Sequence, residues 1–95
     1  MRFVHKTALI TGGADGIGAG IALRLAAEGA LVYVGDIDTS KGESIAKNNA
    51  NIQFIPLDVC DSEQWSLAMT RIEADAGSLD ILIQSAGISR PGSIE

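Results

Sequence analysis

Four short, mostly apolar runs alternate along the chain with longer segments in which apolar residues recur every three or four positions. The short runs carry β-branched residues and are bounded by turn-forming residues, which is typical of strands. The predicted strands cover residues 7–11, 31–35, 52–55 and 79–84. The first strand is apolar enough to be buried on both faces of a sheet.

The longer segments predict three helices. The first covers residues 16–28, places Ile17, Ile21 and Leu25 on one face, and ends at Gly29. It is the most strongly patterned of the three helices.

The other two helices are predicted mainly from their caps. The second opens at Ser40, which stands three residues before Glu43 as in a capping box, and fades near residue 48. The third takes Asp61 as its N-cap and ends at Gly77. One face of this third helix carries Trp65, Ala68, Met69 and Ile72.

The resulting order is β-α-β-α-β-α-β in one domain over residues 1–95, which predicts a parallel sheet with helices on both faces. With right-handed crossovers, the first two connections step the same way and the third returns past the first strand. The predicted fold is therefore α/β, a doubly wound parallel sheet with strand order 3-2-1-4. Ligands of such sheets bind at the carboxyl ends of the strands, at the switch point between the first and fourth strands.

Charge and composition narrow the function. Seven Lys and Arg against twelve Asp and Glu give a net charge of −5 without a basic stripe, so nucleic acid and anionic membrane surfaces are poor candidates. The longest apolar run is far too short to span a membrane. The single cysteine, Cys60, excludes an internal disulfide and favours a cytoplasmic, reducing compartment. Neither Cys60 nor the only histidine, His5, lies in a cluster typical of metal sites, so no metal is expected.

The segment after the first strand reads TGGADGIG over residues 11–18. A strand that turns directly into a helix presents the first helical N–H groups to an anion, and glycines let the backbone approach a pyrophosphate. Gly18 is expected to let the helix pack close to the strands. The alternative is a plain glycine turn without a ligand, but the strand before it, the helix after it and the acid beyond favour a ligand site.

Asp36 ends the second strand, twenty residues after Gly16. A carboxylate at this point can accept both hydroxyls of an adenine ribose, and it repels a 2′-phosphate. The alternative is a solvated residue in a strand-to-helix loop. We favour the ribose contact for Asp36 and interpret Asp38 as a solvated loop charge.

The spacing T-G-x-x-x-G-I-G resembles the cofactor-binding signature of the classical short-chain dehydrogenase/reductase family, and the resemblance runs from Lys6 to about Gly92. It implies a Rossmann-type fold, here incomplete, and hydride transfer between NAD(H) and an alcohol or carbonyl substrate. Family members that prefer NADP(H) tend to carry Arg or Lys just before the second motif glycine or just after the acid position. Asp15 and Ile37 stand in those places, so NAD is the expected cofactor.

The same resemblance assigns the two ends of the cofactor. Asp58 and Val59 match an Asp-Val pair in which the Asp accepts a hydrogen bond from the adenine amino group. After the fourth strand the family has Asn-Asn-Ala-Gly, whereas residues 84–87 read QSAG, and Ser85 cannot offer an amide's paired donor and acceptor. The predicted cofactor-binding residues are Thr11, Gly12, Asp15, Gly16, Ile17, Gly18, Asp36, Ile37, Asp58, Val59, Ser85, Ala86 and Gly87.

The family's catalytic Ser and Tyr-x-x-x-Lys do not occur in these 95 residues. The only tyrosine, Tyr33, lies in the second strand, where core packing is expected, and Ile37 stands where that motif needs Lys. We therefore expect a truncated cofactor-binding half that is inactive by itself and self-associates through the open edge of its fourth strand. Two alternatives stay open, namely a non-catalytic dinucleotide-binding module and a structural or regulatory protein that has lost the cofactor. The intact glycines and Asp36 speak against the latter.

Overall fold

A computed structural model of the protein describes residues 3–12, 14 and 16–85. Its elements are β1 (Thr7–Thr11), α1 (Gly16–Ala27), β2 (Leu31–Asp36), α2 (Thr39–Lys47), β3 (Ile52–Pro56), α3 (Ser62–Ala76) and β4 (Ile81–Gln84). The predicted alternation is confirmed, and each bound lies within two residues of its predicted position. None of these helices has the length and apolar character that crossing a membrane would require.

The four strands are all parallel and lie in the order β3-β2-β1-β4, which confirms the predicted topology. Leu9 of β1 lies opposite Tyr33 of β2 on one side and opposite Leu82 of β4 on the other. The order of the strands reverses between β1 and β4, so the switch point lies between these two strands.

The sheet separates two hydrophobic cores, because successive side chains of a strand point to opposite faces. The first, here the α1–α2 core, is built around Ala8, Ile10, Ala22, Leu25, Ala30, Val32, Val34 and Ile52. The second, here the α3 core, is built around Leu9, Tyr33, Ile55, Leu57, Ala68 and Ile72. This division confirms that the third crossover returns on the opposite face of the sheet.

Tyr33 is fully buried in the α3 core, as predicted. Its hydroxyl donates to a carboxylate oxygen of Asp75 at 3.3 Å, and the Arg71 guanidinium lies 5.9 Å from the ring centroid. Burial and, after it, the Asp75 carboxylate raise the pKa of Tyr33, because both disfavour the tyrosinate. These contacts give Tyr33 a role in packing α3 against β2.

The predicted apolar face of α1 is wrong at Ile17, which is 66% exposed. The helix instead buries Gly18, Ala22 and Leu25, which follow the spacing i, i+4 and i+7. Ile17 is one residue from Gly18 and is therefore turned by about 100° around the helix axis. Its side chain lies outside the core, at the first turn of α1.

The start of α2 differs from the prediction, because Asp38 is the N-cap and Ser40 is the second residue of the helix. The Asp38 side chain accepts from the Lys41 N–H at 3.0 Å, which is the bond from N-cap to third helical residue that stabilises a helix start. Asp38 is exposed, as expected of a solvated charge, but it caps the helix and is not simply a loop residue.

The β4 strand begins at Ile81, two residues later than predicted. The Asp80 N–H donates to the Thr7 carbonyl at 2.9 Å, and the Asp80 carboxylate accepts from the Thr7 N–H at 2.9 Å. A side-chain oxygen thus replaces a strand carbonyl at this point, so the backbone ladder starts one residue further on.

Gly42 and Gly20 provide a matched test of the packing of α2. A Cβ atom at Gly42 would overlap the ring of Phe54, whereas nothing lies within 4 Å of a Cβ atom at Gly20. Gly20→Ala should raise the free energy of unfolding by about 0.5–1 kcal/mol through helix propensity. Gly42→Ala should lower it by about 1–2 kcal/mol, because overpacking outweighs the same gain. Urea unfolding followed by circular dichroism measures both effects, and equal stabilisation by the two changes would contradict the contact between α2 and β3.

Within the described residues, β4 pairs with β1 alone, and Leu82 of β4 is 46% exposed. An apolar strand with an open edge is a template for another strand, so we expect the 95-residue chain to self-associate at micromolar concentration. Leu82→Lys should shift the chain towards monomer, whereas Leu67→Lys, at an exposed position of α3, should not. Sedimentation velocity distinguishes these states, and a sharp monomer of the unmodified chain would rule out association through β4.

Candidate functional site

The predicted site residues come together because the strands are parallel. The glycine turn follows β1, Asp36 ends β2, Asp58 lies two residues beyond β3 and Ser85 directly follows β4. All four positions therefore lie on one side of the sheet, which we call the carboxyl edge. Asp15, Ala86 and Gly87, which were also predicted to bind the cofactor, lie outside the described residues.

The glycine turn depends on backbone conformations that favour glycine. Gly12 has a φ of +70° and Gly16 a φ of +58°, which are left-handed values that other residues adopt only under strain. A Cβ atom at Gly16 would have nothing within 4 Å, so the space next to the start of α1 is open. Gly18 is buried, as expected for a helix that lies close to the sheet. The N-terminus of a helix favours an anion, because its first N–H groups point outward.

Asp36 links the end of β2 to the glycine turn. One oxygen of its half-buried carboxylate accepts from the Ala14 N–H at 3.2 Å, and the other accepts from the Asp38 N–H at 3.0 Å. The residue is therefore more than a solvated loop acid, since it joins two segments that are 22 residues apart. A carboxylate has about four acceptor positions, so both oxygens can still accept from a ligand.

Two isoleucines at the carboxyl edge are more exposed than any other large apolar residue in the described part of the chain. Ile37 is 75% exposed and Ile17 is 66% exposed. Ile37 follows Asp36, and Ile17 follows Gly16, so each adjoins a predicted contact of the cofactor. Apolar side chains that remain exposed next to a polar site provide surface that a ligand can cover.

Asp58 and Val59 lie in the β3–α3 turn, defined here as residues 57–61. The Asp58 side chain is exposed, and its Oδ1 accepts from the Cys60 N–H at 2.9 Å. The Asp58 N–H donates to Gln64 Oε1 at 2.7 Å, and the Val59 carbonyl accepts from Trp65 Nε1 at 2.9 Å.

Gln64 and Trp65 were not predicted to belong to the site. Trp65 lies on the predicted face of α3 together with Ala68 and Ile72, and its ring packs against the α3 core. A half-buried indole N–H still needs an acceptor, and a Gln three residues after an N-cap Asp can reach back beyond the helix start. The indole N–H of Trp65 and the position of Gln64 after the N-cap are thus two signals in the sequence that point to the preceding turn.

Ser85 fastens the end of β4 to the glycine turn. It is 8% exposed, and its N–H donates to the Thr11 carbonyl at 3.0 Å. Its hydroxyl lies 2.7 Å from the same carbonyl and 3.2 Å from that of Gly12. Ser85 thus joins the end of β4 to the turn through both its backbone N–H and its hydroxyl. The Thr11 hydroxyl is buried at the same place and has no hydrogen-bond partner within the described part of the structure.

The parallel sheet, its switch point and the glycine turn define a Rossmann-type α/β domain. The family model for short chain dehydrogenases matches residues 6–95, so the chain belongs to the short-chain dehydrogenase family. Members of this family are oxidoreductases that bind an NAD(P) dinucleotide. The predicted family and fold are thereby confirmed.

Curated relatives and a solved structure agree with this assignment. The chain is 36% identical over 95 residues to a 3-beta-hydroxysteroid dehydrogenase of Comamonas testosteroni, covering 99% of this chain and 37% of that protein. It is 40% identical over 89 residues to a galactitol 2-dehydrogenase of Agrobacterium fabrum, covering 93% and 35%. A crystal structure of a short chain dehydrogenase from Bacillus anthracis matches with a TM-score of 0.85 at 30% identity, covering 90% and 36%. The chain thus spans little more than a third of the length of these proteins.

No group of three or more His, Cys, Asp or Glu side chains in the described ranges is arranged to hold a metal ion. The Cys60 thiol is exposed in the β3–α3 turn.

Proposed function

We propose that the chain is the cofactor-binding part of an NAD(H)-dependent short-chain dehydrogenase that interconverts an alcohol and a carbonyl compound. The observation that carries the proposal is the position of Asp36. Its carboxylate lies at the end of β2 and accepts from the Ala14 N–H of the glycine turn, so an acid adjoins the turn that leads into α1 at the carboxyl edge of the sheet.

Each part of the dinucleotide has matching residues in this chain. Gly12, Gly16 and Gly18 let the backbone hold the pyrophosphate at the start of α1, where the helix dipole stabilises negative charge. Thr11 and Ile17 flank this turn, Asp36 and Ile37 hold the adenine ribose, and Asp58 and Val59 hold the adenine. Asp15, Ser85, Ala86 and Gly87 complete the set of proposed contacts, with Ser85 to Gly87 at the nicotinamide end.

The charge around the ribose favours NAD over NADP. A 2′-phosphate would place roughly two negative charges next to the Asp36 carboxylate, and the neighbouring Ile37 offers no cation to compensate these charges. Asp15 adds a further negative charge to the glycine turn. The chain therefore binds NAD(H) in preference to NADP(H).

The hydride chemistry is that of the nicotinamide ring, and these residues orient and select the cofactor. The 95 residues contain one tyrosine, Tyr33, whose hydroxyl is committed to Asp75 within the α3 core. The family's Tyr-x-x-x-Lys does not occur in these 95 residues, so we expect the chain by itself to bind the cofactor without turnover. The named relatives act on steroids and on a sugar alcohol, so the substrate of the whole enzyme belongs to the broad class of secondary alcohols and ketones.

Two measurements on the 95-residue chain test this function. Titration with NADH should raise the nicotinamide fluorescence to saturation, because the bound ring is shielded from water. An NADH oxidation assay with ketone substrates should give no rate above that of buffer. Absence of saturable binding would refute the cofactor role, and measurable turnover would refute the proposal that catalysis needs residues beyond these.

The preference for NADH can be reversed at two neighbouring positions. Replacing Asp36 by Ala and Ile37 by Arg removes the ribose acceptor and supplies a cation for a 2′-phosphate. We expect NADH binding to weaken by about tenfold or more, as for hydrogen bonds to a charged group, and NADPH binding to strengthen. Asp38→Asn is the matched control, because it removes a nearby negative charge but keeps the oxygen that caps α2. Equal affinities for NADH and NADPH in the unmodified chain would refute the role of Asp36.

A further inference from the structure

The β3–α3 turn lies beyond the ladder of the sheet. The last bond that ties it to a strand is from the Leu57 N–H to the Asp36 carbonyl, at 3.0 Å. Asp58 and Val59 follow this bond, and they carry the proposed adenine contacts. Their backbone conformation must therefore be fixed by something other than strand pairing.

The first turn of α3 supplies these bonds. Gln64 Oε1 accepts from the Asp58 N–H at 2.7 Å, which is the shortest of the described hydrogen bonds in this turn. The Asp58 carbonyl accepts from the Asp61 N–H at 2.9 Å. Asp61 in turn caps α3 by accepting from the N–H groups of Glu63 and Gln64 at 3.0 and 3.2 Å. The turn and the helix start are thus held together as one unit.

Trp65 connects this unit to the interior. Its ring is half-buried and packs against the α3 core, and its N–H donates to the Val59 carbonyl at 2.9 Å. A tryptophan side chain has only two rotatable bonds and ends in a rigid indole ring, so an indole held by packing fixes the position of the atom to which its N–H is bonded. The Val59 carbonyl is therefore placed relative to the sheet through one side chain.

We propose that Trp65 and Gln64 are positioning residues that set the selectivity of this chain for the adenine base. They do not touch the cofactor. They hold Asp58 and Val59 in the one backbone arrangement in which the Asp58 carboxylate meets the adenine amino group. This inference rests on the proposed function, because it takes the adenine of NAD(H) as the group that Asp58 recognises.

The test compares NADH with its analogue that carries hypoxanthine, which lacks the amino group, in place of adenine. The unmodified chain should bind NADH about tenfold more tightly than the analogue, as expected for a hydrogen bond to a charged acceptor. Trp65→Phe keeps an apolar ring but removes the N–H. It should weaken the binding of NADH by about three- to tenfold and the binding of the analogue by less than about twofold, so that the preference for NADH becomes smaller. Replacing a residue that only stabilised the fold would weaken the binding of both ligands equally.

Two further variants keep the test decisive if Trp65→Phe loses structure. Gln64→Met retains the length of the side chain but cannot accept from the Asp58 N–H, and it should reduce the same preference. Leu67→Ala is the control, because Leu67 lies at an exposed position of the same helix. It should leave the affinities for NADH and for the analogue unchanged. Circular dichroism melts establish that each variant is folded before titration.

A double-mutant cycle with Asp58→Ala isolates the positioning role. If Trp65 acts through Asp58, then Trp65→Phe should have almost no further effect on NADH binding once the carboxylate is gone. Unchanged base preference in both Trp65→Phe and Gln64→Met would overturn the inference and leave the proposed function intact. Failure of the unmodified chain to bind either dinucleotide would overturn both the inference and the proposed function. A preference for NADH that is present in the unmodified chain and lost in the two variants would support both of them.

Discussion

The carboxyl edge depends on how the glycine turn is held between its two neighbouring strands. On the β2 side, the Gly12 N–H donates to the Gly35 carbonyl at 2.7 Å and the Ala14 N–H donates to Asp36. On the β4 side, Ser85 bonds the carbonyls of Thr11 and Gly12. A glycine-rich turn would otherwise sample many conformations, because glycine loses more backbone entropy on folding than any other residue. The two strands beside β1 offset that cost through these bonds to Thr11, Gly12 and Ala14.

The sequence predicted the architecture well because its strongest signals are local and its topology is constrained. Alternation of short apolar runs with amphipathic segments gives the order of elements, and right-handed crossovers then restrict how four strands can be arranged. The glycine turn and Asp36 could also be predicted, since a motif at the end of one strand and an acid at the end of the next identify the same edge of a parallel sheet.

The differences between prediction and structure arise where two residues compete for one role or where a contact joins distant segments. Asp38 and Ser40 both suit an N-cap, and only the geometry of the bond to the Lys41 N–H decides between them. Ile17 fits the apolar period of α1 but lies beside a glycine that must face the sheet. The later start of β4 follows from the bond between the Asp80 carboxylate and the Thr7 N–H, 73 residues earlier in the chain, which no local pattern encodes.

On the proposed preference for NAD(H), the two oxygens of Asp36 bear on how that preference can change during evolution. The same carboxylate holds the Ala14 N–H in the glycine turn and the Asp38 N–H at the entrance to α2. Any substitution of Asp36 that makes room for a phosphate therefore also leaves the N–H groups of Ala14 and Asp38 without this acceptor. Asp38 is itself the N-cap of α2. The side chain at position 37 has no such structural role, since it is exposed. A lineage that changes from one nicotinamide cofactor to the other would meet the smaller structural barrier by acquiring a cation at position 37 first and giving up the acid afterwards.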